Sequence, residues 1–265
     1  MKIRTKKPNP MFVEWDGKSY KVGSLLSDNE KLKLAGQDYL VFGVQLAPHK
    51  IGGFNVCGSA SDDCIQACIF SSGRGQMSSV QFGRLKRKLA YFTNRQEFFK
   101  HLVYEIASKL KSCTKKGLRL AVRLNVFSDI IWEKVFPELF SIFPNVQFYD
   151  YSKHQFRFRE GYRLPSNYHL TYSRSENTSL EFIQELIGRG INVAIPFDCS
   201  KHQLPSQWQG IPIIDGDVHD SRFMDAKGCI VGLAVKGDGK KMEATSSSFI
   251  VSTESTESRF LLSLV

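Results

Sequence analysis

Cys57, Cys64 and Cys68 fall within twelve positions in the spacing C-x6-C-x3-C, while Cys113, Cys199 and Cys229 are scattered. Six cysteines in 265 residues are too few for a disulfide scaffold. In a reducing compartment a tight cluster points to metal ligation or redox chemistry. Thiolates are soft ligands that suit iron–sulfur clusters or zinc. Three of them on one loop can hold three irons of a [4Fe–4S] cluster and leave the fourth iron open. Cys64 and Cys68 would share one face of a short helix in DDCIQACIF, with Cys57 folding back through Gly58, Ser59 and Ala60. A structural zinc would need a fourth ligand, for which His49 and His219 are candidates. Buried thiols without a metal are the third alternative.

The cysteine loop, residues 52–75, ends in Gly73-Arg74-Gly75 just before a helical stretch that begins near Met77. Glycines, an arginine and a helix N-terminus can cradle a phosphate or carboxylate, although an ordinary loop–helix junction has the same composition.

Positioning such groups falls to a regular alternation of elements. Residues 11–26 read as a β-hairpin turning at Asp16-Gly17. Strands are expected at 39–46, 118–126, 146–151, 168–173, 191–197, 211–214 and 229–235. Helices are expected at 77–93, 95–113 and 180–188, and at 131–143 with a break at Pro137. Strands apolar on both faces and separated by helices imply a parallel sheet. Seven of them suggest an α/β fold with a partial or irregular (β/α) barrel and an N-terminal hairpin extension. The implied domains are an extension at 1–36, a barrel-like domain at 37–237 and a loosely packed polar tail at 238–265. No GxGxxG or GxxxxGK[ST] is present, so the common nucleotide-binding doubly wound folds lose weight.

Chemistry in parallel α/β folds collects at the C-terminal ends of the strands. Those ends carry Arg123, Asn125, Ser128 and Asp129; Asp150 and Lys153; Arg174 and Glu176; Asp198; and Asp215, Asp217, His219, Asp220 and Arg222. Ser128 or Asp129 could simply cap a helix, as could Ser175 or Asn177. Arg123 and Asn125 are polar residues inside an apolar strand, which favours an active-site rim. Cofactor or substrate contacts are expected from Gly73, Arg74, Gly75, Arg123, Asn125, Ser128, Asp129, Arg174 and Arg222. Lys153 and Glu176 are expected at the mouth, and His219 and Asp220 as proton carriers.

The formal charge is +10, from 36 Lys plus Arg against 26 Asp plus Glu. Such a balance favours anionic partners. The densest basic runs, Arg84–Lys88 and Lys236–Lys241, read first as solvated surface and second as a nucleic-acid footprint. No apolar run approaches the ~18–20 residues of a membrane span. The start, MKIRTKKPNPMFVEW, has no apolar core of a secretory signal. The simplest expectation is a cytoplasmic protein with no membrane partner.

Four segments carry a resemblance when taken together. They are C-x6-C-x3-C-[IL]-x3-GRG, then RLN-x2-SD-x2-WE from Arg123, YDY-x-K from Tyr149, and DGD-x-HD-x-RF from Asp215. The chain resembles phage-encoded proteins of the mycobacteriophage gene product 88 type over roughly residues 40–235. More distantly, three cysteines after the first strand of a partial barrel resemble the radical S-adenosylmethionine enzymes. Their usual gaps are three and two, where this chain has six and three. That resemblance implies a [4Fe–4S] cluster on Cys57, Cys64 and Cys68 whose open iron binds S-adenosylmethionine. It implies an electron donor, a deoxyadenosyl radical and a small or nucleotide-like substrate. The resemblance to phage-encoded proteins implies expression in the host cytoplasm. The competing expectation is a non-catalytic, zinc-stapled protein that binds nucleic acid or a host factor.

Overall fold

The computed structural model describes residues 6–28, 38–236, 239 and 248–253. It is a mixed α/β structure with mainly parallel strands, divided into two compact units. The first unit comprises Met1–Gly58, Arg74–Asp150 and Arg163–His169. The second comprises Ser59–Gly73, Tyr151–Tyr162 and Leu170–Val265.

In the first unit, β1 (Phe12–Trp15) and β2 (Lys18–Lys21) form the expected hairpin. Asp16 (φ 48°) and Gly17 (φ 69°) are both left-handed, which is the turn whose twist matches an antiparallel pair. Val13 is buried, and Tyr20 meets Phe82 edge-on at 4.8 Å. The hairpin is thus part of this unit's packing. β3 (Leu26–Ser27) pairs antiparallel with β4 (Tyr39–Val44). β4 runs parallel to β5 (Arg119–Arg123), and β5 to β6 (Gln147–Ser152).

A small helix in the second unit, α1 (Asp62–Gln66), precedes α2 (Ser78–Thr93) and α3 (Arg95–Lys115) of the first in chain order. Asn94 separates the two long helices, and its side chain accepts from Glu97 N at the start of α3. Phe98, Leu102 and Ile106 form a fully buried stripe at four-residue spacing. Pro137 splits the next helical stretch into α4 (Trp132–Val135) and α5 (Glu138–Ile142), because proline cannot supply a helical N–H.

The second unit holds most of β7 (Tyr168–Ser173), then α6 (Leu180–Gly188) and β8 (Val193–Asp198). β9 (Gln207–Trp208), β10 (Ile211–Asp215), β11 (Ile230–Ala234) and β12 (Val251–Ser252) complete it. The order is β7-β8-β11-β10-β9, parallel except for β9. β11 passes so close to β10 that a Cβ at Gly232 would lie 2.8 Å from Ile213 Cγ2.

Neither unit's row of strands closes on itself among the described residues, so parallel strands are found without a closed barrel. The expected tail is also revised where it is described. β12 pairs with Phe197 and Asp198 of β8, and Ile250 and Val251 are buried. Of this stretch, residues 238, 240–247 and 254–265 lie outside the described set.

Candidate functional site

Cys57 lies beyond the C-terminal end of β5. Its Sγ is 3.5 Å from Phe127 O, to which the thiol donates, and accepts from His49 N at 3.3 Å. The neighbouring Val56 O accepts from Asp129 N at 2.8 Å, which docks this turn on the loop after β5. Behind it stands Lys88 of α2, with a fully buried side chain. Its ammonium donates to the carbonyls of Pro48, His49 and Ile51. Burial pulls its pKa down to about 8, against the pull of the Cys57 sulfur. Burial, then Lys88 and Lys50, lower the pKa of His49.

Arg84, one turn before Lys88, is also buried; it donates to Gln45 Oε1 and lies 4.1 Å over the Phe127 ring. Arg87 donates to Ser24 O. Arg84 and Lys88 are thus buried and Arg87 is tied to Ser24 O, so the run Arg84–Lys88 is not a uniformly solvated face. From the second basic run, Lys236 is held by the buried carboxylate of Asp217.

Within the second unit, the segment bearing Cys64 and Cys68 is fastened to the C-terminal ends of β6 and β7. Ser59 Oγ is 2.6 Å from His154 Nδ1, two residues past β6. Ser61 Oγ donates to Glu176 at 2.6 Å, three residues past β7, and accepts from Cys64 N as the cap of α1. Both cysteines are half-buried. Alongside, Lys153 donates to Ser173 Oγ at 3.0 Å and to Arg174 O at 2.7 Å, and sits 4.9 Å over the Phe249 ring. Arg174 donates to the carbonyls of Ser248 and Phe249. Lys153, Arg174 and Glu176 thus gather at the strand ends as expected, and His154, Ser59, Ser61 and Phe249 join them. His154 was legible only as the residue after YDY-x-K.

Several expected contacts serve the fold. Asn125 is buried in the first unit, and its Oδ1 accepts from Ser128 Oγ, Ile130 N and Trp132 Nε1. Its Nδ2 donates to Ile130 O and Asp150 Oδ2, and Asp150 also accepts from Tyr168 Oη. Asn125, Ser128 and Asp150 form one closed network. Arg123 ends β5 half-buried, and Asp129 is held through its backbone to Val56. Gly73, Arg74 and Gly75 form a 3-10 turn ahead of α2, with Arg74 exposed and Gly75 O accepting from Gln81.

The late motif folds on itself in the second unit. Arg222, nearly fully buried, donates to His219 O and pairs with Asp225 at 3.3 Å. Asp220 is 1% exposed. His219, beside it, is 30% exposed at its side chain.

The matched family model covers residues 23–253 and is described as gene product 88. The chain belongs to the gene product 88 family. All four quoted motifs lie inside the matched span of this phage-type family. No curated protein and no solved structure matches the chain. No helix among the described residues is long and apolar enough to cross a membrane.

Nor does any group of three or more His, Cys, Asp or Glu side chains among the described residues stand ready to hold a metal ion. A tetrahedral zinc draws its donors to about 2.0–2.3 Å from a single point. Neither His49 nor His219 completes such a set with the cysteines. A polynuclear cluster is different, because its own body keeps its thiolate ligands apart. Cys57 Sγ accepts an N–H from His49, and the buried ammonium of Lys88 stands behind it.

Proposed function

We propose that this chain is an iron–sulfur enzyme in which Cys57, Cys64 and Cys68 hold a [4Fe–4S] cluster and act with S-adenosylmethionine on a small or nucleotide-like substrate. One observation carries the reading: in each unit the cysteine-bearing stretch is docked at the C-terminal ends of parallel strands. Cys57 is docked beside β5, and the segment of Cys64 and Cys68 beside β6 and β7. Strand ends are where parallel α/β folds place their chemistry. When bound, a cluster with one open iron supplies an electron for reductive cleavage of S-adenosylmethionine.

The chain's own residues position the reactants. Ser61 caps α1 and ties Cys64 to Glu176. His154 holds the turn at Ser59. Lys153 and Arg174 supply positive charge at the same strand ends, suited to an anionic substrate group.

Purification and reconstitution without oxygen test the reading. Brown protein with iron and sulfide in equal amounts, and deoxyadenosine released on reduction with S-adenosylmethionine, are expected. Colourless protein that takes up zinc stoichiometrically overturns it.

A further inference from the structure

The positive charge of the chain is not shared evenly. The first unit holds 24 Lys plus Arg against 11 Asp plus Glu, and the second 12 against 15. Within the first unit, residues 39–58 and 74–96 carry seven Lys or Arg and no Asp or Glu. Arg84, Arg87 and Lys88 are engaged within the fold. The charge open to a partner is that of exposed cations, among them Lys50 in the loop after β4 and Lys18 on β2. Neither of these two is held in an ion pair among the described residues.

Two aromatic rings stand with them. Trp15 ends β1 directly across the hairpin from Lys18, so the two side chains share one face, and Trp15 is 37% exposed. Glu14 is on the opposite face and Asp16 in the turn. A Cβ at Gly52 would lie 3.9 Å from Trp15 Cζ3 and 2.3 Å from Leu85 Cδ1, so the bare glycine lets the hairpin tip, the loop and α2 meet. Two residues on, Phe54 lies flat on Phe92 of α2, with ring centroids 4.4 Å apart and planes at 8°, and is 38% exposed. The loop that carries Lys50 and Phe54 is firmly held. Lys88 donates to the carbonyls of Pro48, His49 and Ile51, and Gly52 (φ 77°) and Gly53 (φ 92°) curl the chain beyond them.

Exposed rings backed from beneath, set between cations that have no carboxylate partner, match one kind of polyanion. A base offers its π-face to such a ring, and its phosphate meets the lysine. A duplex keeps its base faces stacked on one another and would use the lysines alone. A bilayer surface is met by the continuous apolar stripe of a helix, whereas here two separate rings stand on a hairpin and a loop.

We propose that this face of the first unit binds single-stranded nucleic acid, with Trp15 and Phe54 stacking on bases and Lys18 and Lys50 contacting phosphates. The site uses none of the clustered cysteines, so its failure leaves the iron–sulfur reading untouched.

The test titrates the chain, at low salt, into labelled oligothymidylate, into duplex DNA of the same length and into phosphatidylserine vesicles. Anisotropy reads the first two and co-sedimentation the third. The single strand is expected to bind best, with affinity that falls as salt rises. Trp15→Ala and Phe54→Ala should each weaken it about tenfold, and Trp15→Phe, which keeps a ring, should stay near wild type. Lys18→Gln and Lys50→Gln should each lower the slope of log affinity against log salt by about 0.7. Lys201→Gln, exposed in the second unit, should leave that slope unchanged. If Trp15→Ala unsettles the hairpin, Phe54→Ala in the loop decides. No binding to the single strand, wild-type affinity in Phe54→Ala, or tighter binding to the duplex or the vesicles overturns the proposal.

Discussion

The indole N–H of Trp132 donates to the side-chain oxygen of Asn125 at 2.9 Å, inside a region where both side chains are buried. The same oxygen accepts from Ser128 Oγ and Ile130 N, so one carboxamide closes the turn between β5 and α4. Asn125→Ala would leave several buried donors unmet, each costing about 1–3 kcal/mol. A loss of about 3–5 kcal/mol in unfolding free energy is expected, measured by urea denaturation. Asn125→Ala that folds with wild-type stability and alters only ligand binding would show that Asn125 belongs to the site after all.

Ser61 joins two tasks, capping α1 and bonding Glu176. Removing a serine cap costs about 1 kcal/mol. In a five-residue helix that loss is felt throughout the element, which isolated would be too short to persist. Ser61→Ala is expected to raise the alkylation rate of Cys64 in metal-free protein several-fold, read by peptide mass spectrometry. Alkylation of Cys113, fully buried on α3, should stay unchanged. An unchanged Cys64 rate would mean that the segment is held by other contacts.

Arg174 secures the arrival of β12. Pairing of β7 with β8 stops at Ser173 and Ala194, and β12 takes up Phe197 and Asp198 further along. The Arg174 guanidinium holds the carbonyls of Ser248 and Phe249 just before that pairing begins. Arg174→Gln should speed amide exchange at residues 251–252 by about tenfold, equivalent to about 1.4 kcal/mol of local opening. Exchange in the α6 core at Ile183 and Leu186, both fully buried, is the internal control. Equal exchange at 251–252 in both proteins would assign the anchoring to Ile250 and Val251 alone.

The legible parts of the fold were those with local signals. Asp16-Gly17 declared its turn, Pro137 its helix break, and the Phe98–Leu102–Ile106 spacing its buried stripe. β12 was illegible because Val251 and Ser252 sit in a Ser- and Thr-rich stretch, and only pairing with β8 makes them a strand. A run of charges along the chain hides the burial of Arg84 and Lys88. Read around the helix, they fall on the stripe of Leu85 and Leu89 and are buried with it. At the site, polar strand ends were visible, but the use of each group was not. Asn125 and Arg222 look alike in sequence to Lys153 and Glu176, and only the folded turns show the first two engaged by near neighbours in the chain, Trp132 and Asp225. Closure of a barrel likewise depends on the two end strands of a row, which no single segment encodes.

Cys113 provides the pH prediction. It is fully buried, and burial pushes its thiol above the ordinary 9.0, partly opposed by Lys116 and Lys109. In the unfolded chain the thiol ionises at its ordinary value. Between that value and the raised folded one, the folded state therefore binds more protons than the unfolded state. Stability from this group is complete below about pH 9 and is lost as pH rises toward the folded value. Cys229, raised by burial and Asp225, acts in the same direction. Unfolding free energy should fall more steeply above pH 9 in wild type than in Cys113→Ala, measured by urea titration at several pH values under reducing conditions. Parallel slopes in the two proteins would show that the thiol ionises equally readily in the folded and unfolded chain, and would contradict its burial on the packing face of α3.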